Sequence, residues 1–151
     1  QYDIGVYYEH GREVEQNYAT ALEWYSTAAA QGNPEAQHAV GLMYGHGRGV
    51  EQSFTIALEW YRKAAAQGLA AAQYDIGVYY EHGREVEQNY ATALEWYSTA
   101  AAQGNPEAQH AVGLMYGHGR GVEQSFTIAL EWYRKAAAQG LAAAQYDIGV
   151  Y

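Results

Sequence analysis

The run Gly45-His46-Gly47-Arg48-Gly49 has the ingredients of a phosphate cradle. Its glycines let backbone amides approach an anion, and an arginine stands just ahead of a helix. The related run Glu9-His10-Gly11-Arg12-Glu13 argues against that chemistry, because it puts carboxylates where two of the glycines stood and they would repel a phosphate. Neither run ends in the Gly-Lys-Ser/Thr that a phosphate loop needs. Six histidines, His10, His38, His46, His82, His110 and His118, are the candidate metal ligands. A zinc site needs about four converging ligands, whereas His10 and His46 lie one repeat apart, roughly 10 Å if neighbouring helices pack normally. Glu9 and His10 are sequence neighbours, and neighbours on a helix point apart. No nucleophile, base and orienting group come together in the pattern. The chain has no cysteine; Ser26 falls at an exposed helix position and Ser53 at a helix cap. The expectation is a protein without catalytic residues, metal or cofactor.

The elements that carry these residues are repeats. Residues 1–72 recur unchanged as residues 73–144, and residues 145–151 begin a third copy. A fixed period is the mark of a repeat architecture. Natural copies drift, because most surface substitutions have little effect on stability, so identity at every position is expected of an array built by copying one block. Each block contains two related halves: Gly5/Gly41, Tyr8/Tyr44, Ala21/Ala57, Leu22/Leu58, Trp24/Trp60 and Tyr25/Tyr61 stay in step. The unit is therefore about 36 residues, and the chain reads as one repeat domain over 1–151, with units 1–32, 33–68, 69–104, 105–140 and 141–151.

Each unit reads as two helices. Asn33 is a good N-cap, Pro34 suits the first helical position and Glu35 favours the positive helix end. That first helix is expected over Pro34–Tyr44, with Gly45 and its neighbours stopping it. The second helix follows Asn17 or Ser53 and carries an apolar stripe through Ala21, Leu22, Trp24, Tyr25 and Ala28. Gly32 or Gly68 ends it. The other flavour of first helix begins near Leu69 with Ala70, Ala71 and Ala72, without a good cap. Glu59 and Lys63 stand four apart, the spacing of an ion pair. Glycine inside a helix is unfavourable by roughly 1 kcal/mol relative to alanine, so Gly5 and Gly41 are expected to admit a closely packed neighbour, Tyr25 or Trp24.

The spacing Ala36-Gln37-x-x-Val40-Gly41-x-x-Tyr44-x-x-Gly47-x-Gly49-Val50, followed by Ser53-x-x-x-Ala57-x-x-Trp60-Tyr61-Arg62-Lys63-Ala64-Ala65-x-Gln67-Gly68, resembles the SEL-1-like repeat, a relative of the tetratricopeptide repeat. The resemblance covers the whole chain. It implies an all-α fold, a right-handed superhelical α-solenoid of antiparallel helix pairs, and a role as a protein–protein adaptor scaffold. Asn17 and Ser53 replace the aspartate common in the family, and all three cap helices. Some secreted members bridge each helix pair with a disulfide, which this cysteine-free chain cannot form.

The resemblance also implies that the first helices line a concave face. The residues expected there are Tyr2, Val6, Glu9, His10, His38, Leu42, His46, Tyr74, Val78, Glu81, His82, His110, Leu114 and His118, a surface for an extended peptide or a partner helix. The positions expected to form the repeat core, in four equivalent sets, are Gly5, Tyr8, Leu22, Trp24 and Tyr25; Gly41, Tyr44, Leu58, Trp60 and Tyr61; Gly77, Tyr80, Leu94, Trp96 and Tyr97; and Gly113, Tyr116, Leu130, Trp132 and Tyr133. Ile4 and Val40 are expected to pack inward with them.

Charge narrows the partners. The formal net charge is −9. Each 72-residue block sets Arg12, Arg48, Arg62 and Lys63 against Asp3, Glu9, Glu13, Glu15, Glu23, Glu35, Glu51 and Glu59. A nucleic-acid groove needs clustered bases to displace counterions, so neither nucleic acid nor an anionic membrane is expected, and no apolar run approaches the length of a membrane span. The absence of cysteine suits a soluble protein produced in a reducing cytoplasm. Solenoids usually carry polar terminal repeats, and none is visible here, so end-to-end self-association through bare terminal repeats is a further expectation.

Overall fold

A computed structural model describes residues 1–10 and 17–150. The side chains of Tyr8 and His10, and the run Gly11-Arg12-Glu13, fall outside the described residues. All regular structure among the described residues is α-helical: α1 (Tyr2–His10), α2 (Tyr18–Ala30), α3 (Pro34–His46), α4 (Phe54–Ala66), α5 (Ala70–His82), α6 (Tyr90–Ala102), α7 (Pro106–His118), α8 (Phe126–Ala138) and α9 (Ala142–Val150). The chain divides into two compact units, Gln1–Ala72 and Gln73–Tyr151. In the first, α1 packs on α2, α2 on α3 and α3 on α4; in the second, α6 packs on α7, α7 on α8 and α8 on α9. Each unit is thus a series of helix pairs, the arrangement of an α-solenoid.

The helix starts are set locally, by side chains that accept the otherwise unpaired first-turn amides. The Asn17 side chain accepts from Thr20 N–H at 3.0 Å, Asn33 from Ala36 N–H at 2.8 Å and Ser53 from Ile56 N–H at 3.2 Å. Asn33→Ala is expected to lower stability by about 1 kcal/mol, read as a shift of the urea midpoint; an unchanged midpoint would mean that the cap is redundant with Pro34.

The first helices run two residues further than expected, to His46. Gly45 is buried inside α3, and the left-handed turn comes at Gly47, with φ +66°. Arg48 N–H then donates back to the Met43 carbonyl at 2.9 Å and Ser53 N–H to the Tyr44 carbonyl at 2.9 Å. The Gln52 side chain donates to the Gly45 carbonyl at 2.8 Å. With the orphan carbonyls of the last turn satisfied this way, the helix stops at the second glycine of the run rather than the first.

Tyrosine, more than tryptophan, fills the core. In the first unit Ala21, Tyr25, Ala28, Ala29, Ala36, Val40 and Met43 form a buried cluster. Tyr97, Tyr133, Ile76, Val112 and Met115 are fully buried in the second. All four tryptophans are half-buried, as are Leu22, Leu94, Leu130, Tyr44, Tyr80 and Tyr116, while Leu58 is buried. Adjacent residues on a helix point about 100° apart, so the tyrosine faces the neighbouring first helix and the tryptophan beside it lies at the rim. The rim position explains a second difference. Lys63 forms no ion pair with Glu59; its ammonium lies 4.3 Å from the Trp60 ring centre, and Lys135 lies 4.2 Å from that of Trp132, a cation–π contact. Ile4 departs from expectation too. It is 40% exposed, whereas its copy Ile76 is 1% exposed.

Candidate functional site

The central feature of each helix pair is a tyrosine ring laid over a helical glycine. A Cβ placed on Gly5 would lie 2.6 Å from Tyr25 Cδ1; the corresponding distances are 2.6 Å from Gly41 to Tyr61 Cε1, 2.6 Å from Gly77 to Tyr97 Cδ1 and 2.5 Å from Gly113 to Tyr133 Cε1. Only a residue without a side chain lets the rings come so close, which accounts for the unfavourable helical glycines.

Four of the expected groove residues belong to this socket. The Tyr2 ring centre is 5.5 Å from that of Tyr25, Tyr74 is 5.5 Å from Tyr97, His38 is 5.6 Å from Tyr61 and His110 is 5.6 Å from Tyr133. These tilted pairs add packing beyond simple burial. His110 Nε2 is also 2.6 Å from Asp147 Oδ2, which ties α7 to α9.

Glu9 and Glu81, the acidic residues expected on that face, are engaged as well. The Tyr25 hydroxyl donates to Glu9 Oε2, and the Tyr97 hydroxyl donates to Glu81 Oε1 at 2.7 Å. Burial holds both hydroxyls protonated well above the usual tyrosine range, and the carboxylate partner adds to the shift. The same carboxylates meet the loop of the following repeat: Arg48 Nη1 is 3.9 Å from Glu9 Oε1, and Arg120 Nη1 is 3.8 Å from Glu81 Oε2. Each arginine also covers a tyrosine at the start of the preceding second helix, Tyr18 or Tyr90, at 5.6 Å from the ring centre. A Cβ on Gly49 would lie 2.7 Å from the Tyr18 carbonyl carbon, and one on Gly121 2.7 Å from that of Tyr90. The glycine-and-arginine run is therefore a docking loop that clamps one repeat to the one before it.

Buried glutamines make a second seam. Gln37, Gln73 and Gln109 are buried. Gln67 Nε2 donates to Gln37 Oε1 and to the Gly32 carbonyl, both at 2.9 Å. Gln103 donates to Gln73 at 2.7 Å, and Gln139 donates to Gln109 at 2.9 Å and to the Gly104 carbonyl at 2.8 Å. The residue pattern did not single out this ladder, although the recurring Ala-Gln and Gln-Gly pairs were its signal.

The other residues expected on that face differ in exposure, and Val6 packs against the core cluster of the first unit. Val6, Leu42, Val78 and Leu114 are half-buried, and His46, His82 and His118 are exposed. The ring Nδ1 of each of these histidines lies 2.9 Å from the carbonyl four residues earlier, leaving Nε2 as the outward atom. Among the described residues no three His, Asp or Glu side chains gather as a metal site, and no helix is long and apolar enough to cross a membrane.

Comparison with known proteins gives the relationship. The family profile of the Sel1 repeat matches residues 1–33, 34–69, 70–105 and 106–141. A Sel1 repeat protein from Oxalobacter formigenes is 36% identical, over 97% of this chain and 60% of that one, with a TM-score of 0.92. A protective antigen of uropathogenic Escherichia coli displaying an SLR fold is 41% identical, over 97% of this chain and 32% of that one, with a TM-score of 0.89. Helicobacter pylori cysteine rich protein B shares the fold, at 19% identity and a TM-score of 0.68, over 93% of this chain and 99% of that one. The chain thus spans less than two thirds of the length of the first two. No curated protein sequence matches significantly. The profile covers nearly every residue and its repeats fall on the helix pairs described above, so the chain belongs to the Sel1 repeat family.

Proposed function

We propose that the chain is a non-catalytic repeat scaffold that works by presenting helix faces to protein partners. The observation carrying this reading is that its reactive side chains recur as structural contacts. Glu9 and Glu81 accept from the socket tyrosines and face the loop arginines, and His38 and His110 lie on socket rings. A group held by packing in repeat after repeat supports the scaffold and is poorly placed to turn over a substrate. The identity of the two 72-residue blocks supports an origin by deliberate copying of one block, with the shape itself as the product.

The half-buried aliphatic residues Val6, Leu42, Val78 and Leu114 favour a second reading, an adaptor that takes a peptide or helix along its first helices. Anchors of this kind, with acidic residues nearby and few bases, suit a neutral or basic apolar segment. A display screen of peptides against the folded protein tests it. A true ligand is expected to lose at least about tenfold in affinity, or 1.4 kcal/mol, on Leu42→Glu or Leu114→Glu, with the circular dichroism unchanged. Ligands that bind both variants as well as the parent would place the interaction elsewhere.

A further inference from the structure

The second helices come in two kinds, and one difference between them falls beside their tryptophans. Three residues after Trp60 and Trp132 stand Lys63 and Lys135, whose ammonium groups lie 4.3 Å and 4.2 Å from the ring centres. Three residues after Trp96 stands Thr99. Its hydroxyl donates to the Glu95 carbonyl at 2.9 Å, so this short side chain is tied down to its own helix. Trp24 has the same setting, with the Thr27 hydroxyl donating to the Glu23 carbonyl at 3.0 Å. All four tryptophans are half-buried. Two of them thus receive a cation from their own helix, and two do not.

The charge around Trp96 favours a cation from outside. Helix α6 holds no basic residue, and exposed Glu95 is its single charged side chain. Residues three and four apart are neighbours on a helix surface, so Trp96 and Glu95 both flank position 99. The equivalent position of α8 is Lys135, three residues after Trp132 and four after Glu131, and it settles on the ring. The face of an indole attracts a cation electrostatically, and a carboxylate beside it adds to the attraction.

We propose that Trp96 with Glu95, and Trp24 with Glu23, are binding points for lysine side chains of a partner protein. The incoming ammonium takes the place that Lys135 holds on Trp132. This rests on the scaffold reading and adds to it a surface, the tryptophan edges of α2 and α6, and a chemistry, a basic segment. The surface is separate from the first-helix positions Leu42 and Leu114.

Titration of the 151-residue protein with N-acetyl-lysine methylamide, followed by the indole Nε1–H NMR signals, tests this. Single Trp→Phe variants assign the signals, and sodium chloride holds the ionic strength constant. The Trp24 and Trp96 signals are expected to move saturably, while those of Trp60 and Trp132, already supplied with a lysine, stay in place. The neutral N-acetyl-norleucine methylamide is expected to bind about two- to fivefold more weakly, the range for an exposed cation–π contact. Thr99→Lys supplies the ring from its own helix and is expected to abolish the Trp96 response. Ser98→Lys adds the same charge about 100° around the helix and is expected to preserve it. Lys63→Thr is expected to make Trp60 respond. Residues 63, 98 and 99 are exposed, so the three variants are expected to keep the helical circular dichroism. Equal movement of all four indoles, no saturable movement at Trp96, or a Thr99→Lys variant that responds like the parent would each overturn the proposal. Leu42→Glu is expected to leave these signals unchanged, so this proposal and the adaptor reading of the first helices stand or fall separately.

Discussion

Tyr97→Ala is expected to destabilise the second unit by about 3–5 kcal/mol, the range for truncating a buried aromatic residue. The ring is 1% exposed and lies over Gly77. Removing it opens a cavity walled on one side by a helix with no Cβ at that point, so the gap has little to collapse onto it. The truncation also removes the donor to Glu81 Oε1. Tyr97→Phe keeps the ring and loses only that hydroxyl, so a smaller loss is expected, about 1.5–3 kcal/mol for a hydrogen bond to a charged group. Trp96→Ala, at a half-buried neighbour, should fall below Tyr97→Ala. Urea melts followed by helical circular dichroism order the three variants. If Trp96→Ala proved the most damaging, the seam between helices would run through the tryptophans and the socket reading would fail.

The second large effect comes from the glycine side of the same socket, where two opposing terms compete. Alanine is favoured over glycine in a helix interior by roughly 1 kcal/mol. At Gly113, however, the new Cβ would lie 2.5 Å from Tyr133 Cε1 and 3.2 Å from the Ala129 carbonyl oxygen. Tyr133 is fully buried, so its ring has nowhere to move, and the carbonyl is backbone. Overpacking of this kind is unfavourable by about 1–3 kcal/mol, so Gly113→Ala is expected to lose up to about 2 kcal/mol net by the same melts. Gly149→Ala occupies the same repeat position with open space around it and is expected to be neutral or stabilising, by up to about 1 kcal/mol. Opposite signs at two glycines in equivalent repeat positions would point to packing, and not helix propensity, as the deciding term. A stabilised Gly113→Ala would mean that the tyrosine ring can slide aside.

Much of the architecture was legible in the residues because it depends on short-range chemistry. Asn17, Asn33 and Ser53 each cap the helix they precede, and Gly32 and Gly68 turn with φ +92° and +89° where the second helices end. The closeness behind Gly5 and Gly41 was legible too, since a helical glycine needs a reason. The choice between Gly45 and Gly47 as the helix stop was not legible. Both belong to one glycine-rich run, and the decision lies with Gln52 and Ser53 reaching back to close the turn. Nor could periodicity choose between Trp24 and Tyr25, neighbours on one helix whose burial depends on the angle at which the next helix crosses. The expected groove divided for the same reason: Tyr2, His38, Tyr74 and His110 lie against socket tyrosines, while His46, His82 and His118 remain exposed.

The copied blocks separate the two kinds of information. Tyr2 and Tyr146 share the same following residues, as do Ile4 and Ile76, and Gly5 and Gly149. Local sequence therefore determines the same backbone for each: helix, register and the face on which the side chain stands. Yet Ile4 is 40% exposed and Ile76 1%, and Gly149 faces open space where Gly5 faces a ring. Burial is a property of what lies against a residue, and only the tertiary structure decides that. Hydrogen bonds within a helix and its caps close over a few residues, whereas the apolar surface of each first helix is covered by a second helix that the fold must bring to it.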